Sequence, residues 1–271
     1  MAAFETLRIM AIEKCHRCVD SLVTGAQIAA ECLPVPCFGD LSSANLKVVT
    51  VGLNPALNEF YQVGIPKERE RRLALLGDYE CARRINLSDE DIMDAQKRRK
   101  QYFSDSKRGW HTYFEKMEAL LTNVHSSWNF FWGSAVHIDL VACATKERWS
   151  KLAPSVQEIM VENCQEFFLD ALKNIPDGVV ILCDGKRIVS EMTNLPLNIQ
   201  WRPKQLIQIH PENGPNLGCV GDLVIGCKKH KICGWDSYIA HMNPTWRIDL
   251  AHWVHNIIFP NTPDPGLAAL K

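Results

Sequence analysis

Residues 46–56 read LKVVTVGLNPA. Leu46 to Val51 has the apolar, β-branched composition of a buried strand. Gly52 and then Asn54-Pro55 follow it immediately. The proline ring bars Asn54 from helical backbone and holds it extended, so the strand ends by presenting an amide side chain on a stiffened turn. Taken alone, an asparagine there reads as a turn residue that satisfies nearby backbone groups. A linker has no need of it, whereas a site built at the carboxyl end of a sheet strand does.

The strand pattern recurs at Ala135–Val141 (AVHIDLV), at Gly178–Gly185 (GVVILCDG) and at Trp235–Met242 (WDSYIAHM). Helical stretches separate these strands. Pro66 to Asn123 is charged and mainly helical, with a capped start at Ser88 and apolar Tyr113, Met117, Leu120 and Leu121 at helical spacing. An amphipathic helix follows Pro154, a short one (KRIVSEM) follows the third strand, and RIDLAHWVHNII forms the last. From Leu206 onward a hairpin is expected, with Gly214, Gly218, Gly221 and Gly226 as its turn residues.

Strands alternating with helices predict an α/β fold, a three-layer α/β/α sandwich with a central, mostly parallel sheet of about four strands. The organisation is a single domain over 1–271: an N-terminal helix and cysteine-containing loop (1–45), a core (46–260) and a proline-rich tail (261–271). Carboxyl ends of parallel strands converge on one edge. Three of them carry polar chemistry: Asn54 after the first, Asp139 within the second and His241 after the last.

Composition excludes several classes. Hydrophobic residues are 46% and charged residues 23%, which is ordinary for a globular enzyme. The formal charge of −1 gives no global basic field, so contact with a nucleic acid must come from local patches. No apolar run approaches the ~18 residues of a membrane span, and the N-terminus lacks a signal-peptide layout. A cytoplasmic protein is expected.

Eleven cysteines, an odd number with several inside apolar runs, argue against a secreted disulfide framework. Cys15-x2-Cys18 and Cys32-x4-Cys37 have spacings that allow a four-thiolate zinc or iron–sulfur site. The competing reading, small buried hydrophobes, is the one adopted, and no metal or cofactor is expected. Cys219, Cys227, His230 and Cys233 form a weaker grouping.

TVGLNPA resembles the first active-site motif of the uracil-DNA glycosylase superfamily, G-x-N-P-G/A, as it stands in the mismatch-specific and single-strand-selective branches. His241-Met242-Asn243-Pro244-Thr245 resembles the second motif, usually H-P-S or N-P-S, with Met242 inserted. The resemblance covers residues 45 to 260 and implies a DNA glycosylase. Such an enzyme hydrolyses the N-glycosidic bond of a flipped-out base and leaves an abasic site. In that reading Asn54 positions the water, and Gly52, Leu53, Pro55 and Ala56 frame the base. His241 donates to a base carbonyl as charge develops there, and Asn243 and Thr245 contact the substrate. Trp246 and Arg247 stand where family members carry a loop that enters the DNA, with Lys146 as a further DNA contact. His210-Pro211-Glu212 competes for the second motif, but glycines and not a helix follow it.

Asp139 departs from the asparagine that uracil-reading relatives use. A carboxylate only accepts, which suits a base with an exocyclic amine, such as a modified cytosine in phage DNA; the alternative is an ion pair with Lys146 or Arg148. Phe60 and Tyr61 are candidates for the apolar floor beneath a flipped base. KRRK at 97–100 and Lys107-Arg108 are candidates for phosphate contact. Two classes of function remain: a glycosylase acting as a monomer on DNA, in uracil repair or antiviral defence, and a non-catalytic reader of abnormal bases on the same fold.

Overall fold

The computed structural model describes residues 17–21, 24–25, 27–60, 73–79, 87–104, 112–207 and 216–262. Cys15, Tyr61, Lys107-Arg108, His210-Pro211-Glu212 and most of the expected tail lie outside them. The chain divides into two compact units. The first takes Met1–Ser42, Leu53–Asp105 and His137–Ile175, and the second takes Ser43–Gly52, Ser106–Val136 and Pro176–Lys271.

The second unit is built on β2 (Val48–Gly52), β4 (Val180–Asp184), β8 (Lys228–Trp235), β7 (Asn216–Ile225) and β5 (Asn198–Trp201), which neighbour one another in that order. β6 (Gln205–Ile207) also pairs with β7. β2 runs parallel to β4 and β4 parallel to β8, while β7 is antiparallel to β8, β5 and β6. Every residue of β2 and β4 is buried, as expected of parallel strands covered on both faces. β3 (Ala135–Asp139) starts beside β2, where the Val48 amide donates to the Ser134 carbonyl at 3.1 Å.

Eight strands form among the described residues, twice the expected number, and the sheet is mixed and not mostly parallel. The difference comes from residues 198–235. The expected hairpin is there as β7 and β8, but Trp235 ends β8 instead of starting a strand. Gly226, at φ +61°, makes the hairpin turn. Gly218 and Gly221 lie inside β7: a Cβ on Gly218 would come within 2.5 Å of the Trp253 ring, so close packing, not turning, requires that glycine.

α2 (Thr112–Val124) buries Tyr113, Phe114, Met117, Leu120, Leu121 and Val124, which includes every position expected from the sequence spacing. It packs against α5 (Pro244–Ile258), whose His255 donates from Nδ1 to the Val124 carbonyl at 2.8 Å and so satisfies the end of α2. Full burial of each of these large apolar side chains contributes roughly 1.5–3 kcal/mol. α4 (Lys186–Asn194) packs on β4 and β8, entered through Gly185 at φ +100°.

In the first unit β1 (Cys37–Phe38) pairs antiparallel with the second half of β3, Cys37 opposite Ile138. α1 (Asp89–Lys100) begins on the expected Ser88 cap, completed by the Asp91 side chain reaching back to the Ser88 amide. α3 (Pro154–Lys173) carries its proline in the first turn, where a missing N–H costs nothing, and buries Met160, Cys164, Phe167 and Phe168.

Candidate functional site

The first unit holds the Asn54 turn. Asn54 Nδ2 donates to the Pro55 carbonyl and to Thr145 Oγ1, both at 3.1 Å. Thr145 is fixed in turn: its hydroxyl donates to the Glu147 carbonyl at 2.7 Å, and its backbone bridges to Ile28 and Ala56. With the amide nitrogen committed to protein acceptors, the amide plane is set and Oδ1 keeps its capacity as an acceptor. No described residue donates to Oδ1. Leu53 anchors the turn through its carbonyl, which accepts from the Val141 amide at 2.8 Å.

Phe60, after a 3-10 turn at Leu57–Glu59, is 1% exposed. It lines an apolar hollow with Leu33, Val35, Leu73, Leu87 and Arg99. Asp139 is also drawn inward. It is 2% exposed, and buried His137 Nε2 donates to its Oδ1 at 3.2 Å. Residues two apart on a strand share a face, so this partner was open to reading from the sequence. Lys146 and Arg148, weighed there as partners, are exposed. In the KRRK run, Arg98 bonds Asp94 at 2.8 Å and Asp78 at 3.2 Å, Lys100 pairs with Asp40 at 3.2 Å, and Arg99 is buried. Three of its four cations are thus engaged with the protein instead of forming a phosphate-binding face.

The second unit holds the His241 turn. The parallel register ends three strands in a row: Val51 faces Cys183, Cys183 faces Gly234, and Asp184 faces Trp235. Asp184 was not picked out by its motif. It is buried at the end of β4, and its Oδ1 accepts from Trp235 Nε1 at 2.8 Å and from the Ile239 amide at 2.9 Å. Burial raises its carboxyl to about 7, against the lowering effect of donors from Ile239, Trp235 and Tyr113.

Ile239 opens a 3-10 turn, Ile239–His241, so His241 stands on a turn and not at a strand end. Lys116 on α2 donates to the Ala240 carbonyl. Tyr113 stacks on Tyr238 with ring centroids 5.4 Å apart, and Tyr238 meets the exposed His241 ring edge-on at 5.5 Å. Met242, the insertion in the motif, is buried and accepts at its carbonyl from Arg247 Nη1 at 2.9 Å. Asn243 caps α5, its Oδ1 accepting from the Trp246 amide at 2.9 Å, with Pro244 in the first turn. Asn243 and Thr245 are exposed, while Trp246 and Arg247 are half-buried.

Among the described cysteines the structure groups Cys18 with Cys143 and Cys164, not with Cys32 and Cys37. The three sulfurs lie within 4.8 Å of one another and all are buried. Asn163 Nδ2 approaches Cys18 Sγ at 3.5 Å, and Cys143 is engaged in a disulfide. Cys32 and Cys37 are buried elsewhere in the first unit, Cys37 donating to the Gly39 carbonyl. Of the weaker grouping, Cys219 and Cys233 are pushed by burial to about 11 and about 12 and pack as neutral thiols; Cys227 is exposed.

No helix among the described residues is long and apolar enough to cross a membrane. Comparison with protein-family models, with curated proteins and with solved structures found no match.

Proposed function

We propose that the chain is a DNA glycosylase that removes a flipped-out uracil or modified cytosine, acting as a monomer without a cofactor in the reaction. The observation that supports this most is the Asn54 turn: an amide fixed through its nitrogen, with its carbonyl oxygen accepting from no described residue, directly after a buried parallel strand. Such an oxygen orients a water by accepting one of its hydrogens. The C1′–N bond then breaks with its electron pair leaving on the base, and the water oxygen bonds to C1′. The water proton passes to solvent, since an amide cannot hold it. His241 donates to the base carbonyl as negative charge gathers there. The finer sandwich arrangement, with helices over both faces of the sheet, belongs to the same reading.

The experiment is to incubate the protein with uracil-, hypoxanthine- and modified-cytosine-containing DNA and probe for alkali-labile abasic sites. Product from any of these supports the reading. A second reading, a non-catalytic reader of abnormal bases, is favoured by that same asparagine, which is a poor base where an aspartate would be a good one. Tight binding without abasic product on every substrate selects the reader.

A further inference from the structure

The Ile239–His241 turn is held from three sides. Asp184 accepts its first amide from the end of β4, Lys116 donates to its middle carbonyl from α2, and Arg247 donates to the Met242 carbonyl from α5. Two of these holders are solvent-tolerant cations. Asp184 is the buried one, and its Oδ1 also accepts from Trp235, the last residue of β8. One carboxyl oxygen therefore joins the ends of two parallel strands to the turn that carries His241.

We propose that Asp184 is the positioning residue of the candidate site: its carboxylate draws the Ile239 amide and the Trp235 indole together and thereby sets where the His241 ring stands. The inference rests on the glycosylase reading for what His241 does to the base, but not for the geometry of the turn. A hydrogen bond to an ionised acceptor is shorter and roughly twice as strong as one to a neutral acceptor, so the grip on Ile239 tightens when Asp184 loses its proton. The titratable groups facing the carboxyl are Tyr113 on α2 and Cys183 on its own strand, and among the described residues no cation pairs with it. Burial brings the change near neutrality, with the carboxyl at about 7. Tyr113 faces the carboxyl from α2 and favours its ionised form. Tyr113 stacks on Tyr238, and Tyr238 packs against His241, so the ring follows the same event by a second route.

The test is a pH titration of the full chain followed by 1H–15N spectra of the Ile239 and Ala240 amides and the Trp235 indole. We expect all three resonances to move with one shared midpoint near pH 7. They keep that midpoint in His241→Gln, which removes the histidine as its source, and lose it in Asp184→Asn. In single-turnover base release the wild type rises about tenfold through the same midpoint, the scale of a charge-assisted against a neutral hydrogen bond, and Asp184→Asn is flat there. Should Asp184→Asn not fold, Tyr113→Phe removes a group that favours the ionised carboxyl and moves the midpoint upward. Resonances that fail to share a midpoint, or that titrate unchanged in Asp184→Asn or Tyr113→Phe, overturn the proposal. A normal titration in a protein that releases no base from any DNA leaves the turn's coupling standing and removes the glycosylase reading instead.

Discussion

Asn54 and Thr145, 91 residues apart in the chain, are joined by a 3.1 Å hydrogen bond from the amide nitrogen to the hydroxyl. The bond decides which way the amide faces, and so makes two substitutions informative. Asn54→Ala removes the water's acceptor and abolishes base release while DNA binding persists, because the loss falls on the transition state. Thr145→Val keeps the acceptor but frees its plane, and lowers the single-turnover rate by roughly ten- to a hundredfold, since misplacement alone is costly. If both variants keep wild-type rates, Asn54 is a turn residue only.

His241→Ala slows cleavage by roughly two to three orders of magnitude, the scale of losing one oxyanion-type donor. His210→Ala changes little. Rate constants ranked the other way round would move the second motif to His210-Pro211.

The sequence made the buried strands legible because strands covered on both faces are continuous apolar runs, and VVTVG, AVHID and VILCD each read as one. Helix positions were legible for a related reason: the Ser88 cap and the spacing of Tyr113, Met117, Leu120 and Leu121 are local signals. The antiparallel half was obscured by Gly218 and Gly221, which look like turn residues until the Trp253 ring and the β5 backbone are seen pressed against them. Asp184 was hidden for a deeper reason. Its importance depends on an indole 51 residues away and an amide 55 residues away, and no spacing rule connects them. Cys143 was read as part of an apolar strand-like run and Cys164 was not singled out, since only the fold brings them to Cys18.

Asp139 now has a partner that sharpens its test. With His137 donating to it inside the first unit, Asp139→Ala strands a buried imidazole N–H and destabilises the fold by about 1–3 kcal/mol in urea unfolding. Base preference stays as in the wild type. A shift from cytosine-like substrates toward uracil in Asp139→Asn would instead return this carboxylate to the base edge.

The buried sulfurs of Cys18, Cys143 and Cys164, within 4.8 Å of one another, could hold a soft metal, zinc or iron, once the disulfide at Cys143 is reduced to a thiol. No metal is expected from the sequence spacings alone, but this grouping of sulfurs reverses that expectation: protein purified under reducing conditions without chelators should carry one. Cys18→Ser and Cys164→Ser lose it, and Cys32→Ser and Cys37→Ser retain it. Elemental analysis that finds no metal in the reduced wild type, or finds it lost in the Cys32 variant, rejects this site.

The Asp184 carboxyl leaves a thermodynamic signature independent of any substrate. An acid raised from 3.8 to about 7 on folding binds a proton in the native state that the unfolded chain has already released. Between those two values the native state holds more protons, so stability falls as pH rises through the window and levels off above about 7. At roughly 1.4 kcal/mol for each pH unit that the window spans, the loss comes to about 4 kcal/mol as an upper bound. Asp184→Asn keeps an oxygen acceptor for Ile239 and Trp235, offers Tyr113 a donor and carries no charge to bury. The variant is therefore expected to match the wild type near pH 4, to exceed it in stability at pH 8, and to lack this part of the pH dependence. Urea unfolding at both pH values measures the difference. A wild type held below its own attainable stability at neutral pH is what a charge kept for positioning predicts. Equal stabilities of the two proteins at pH 8 would mean that burial does not hold the Asp184 proton.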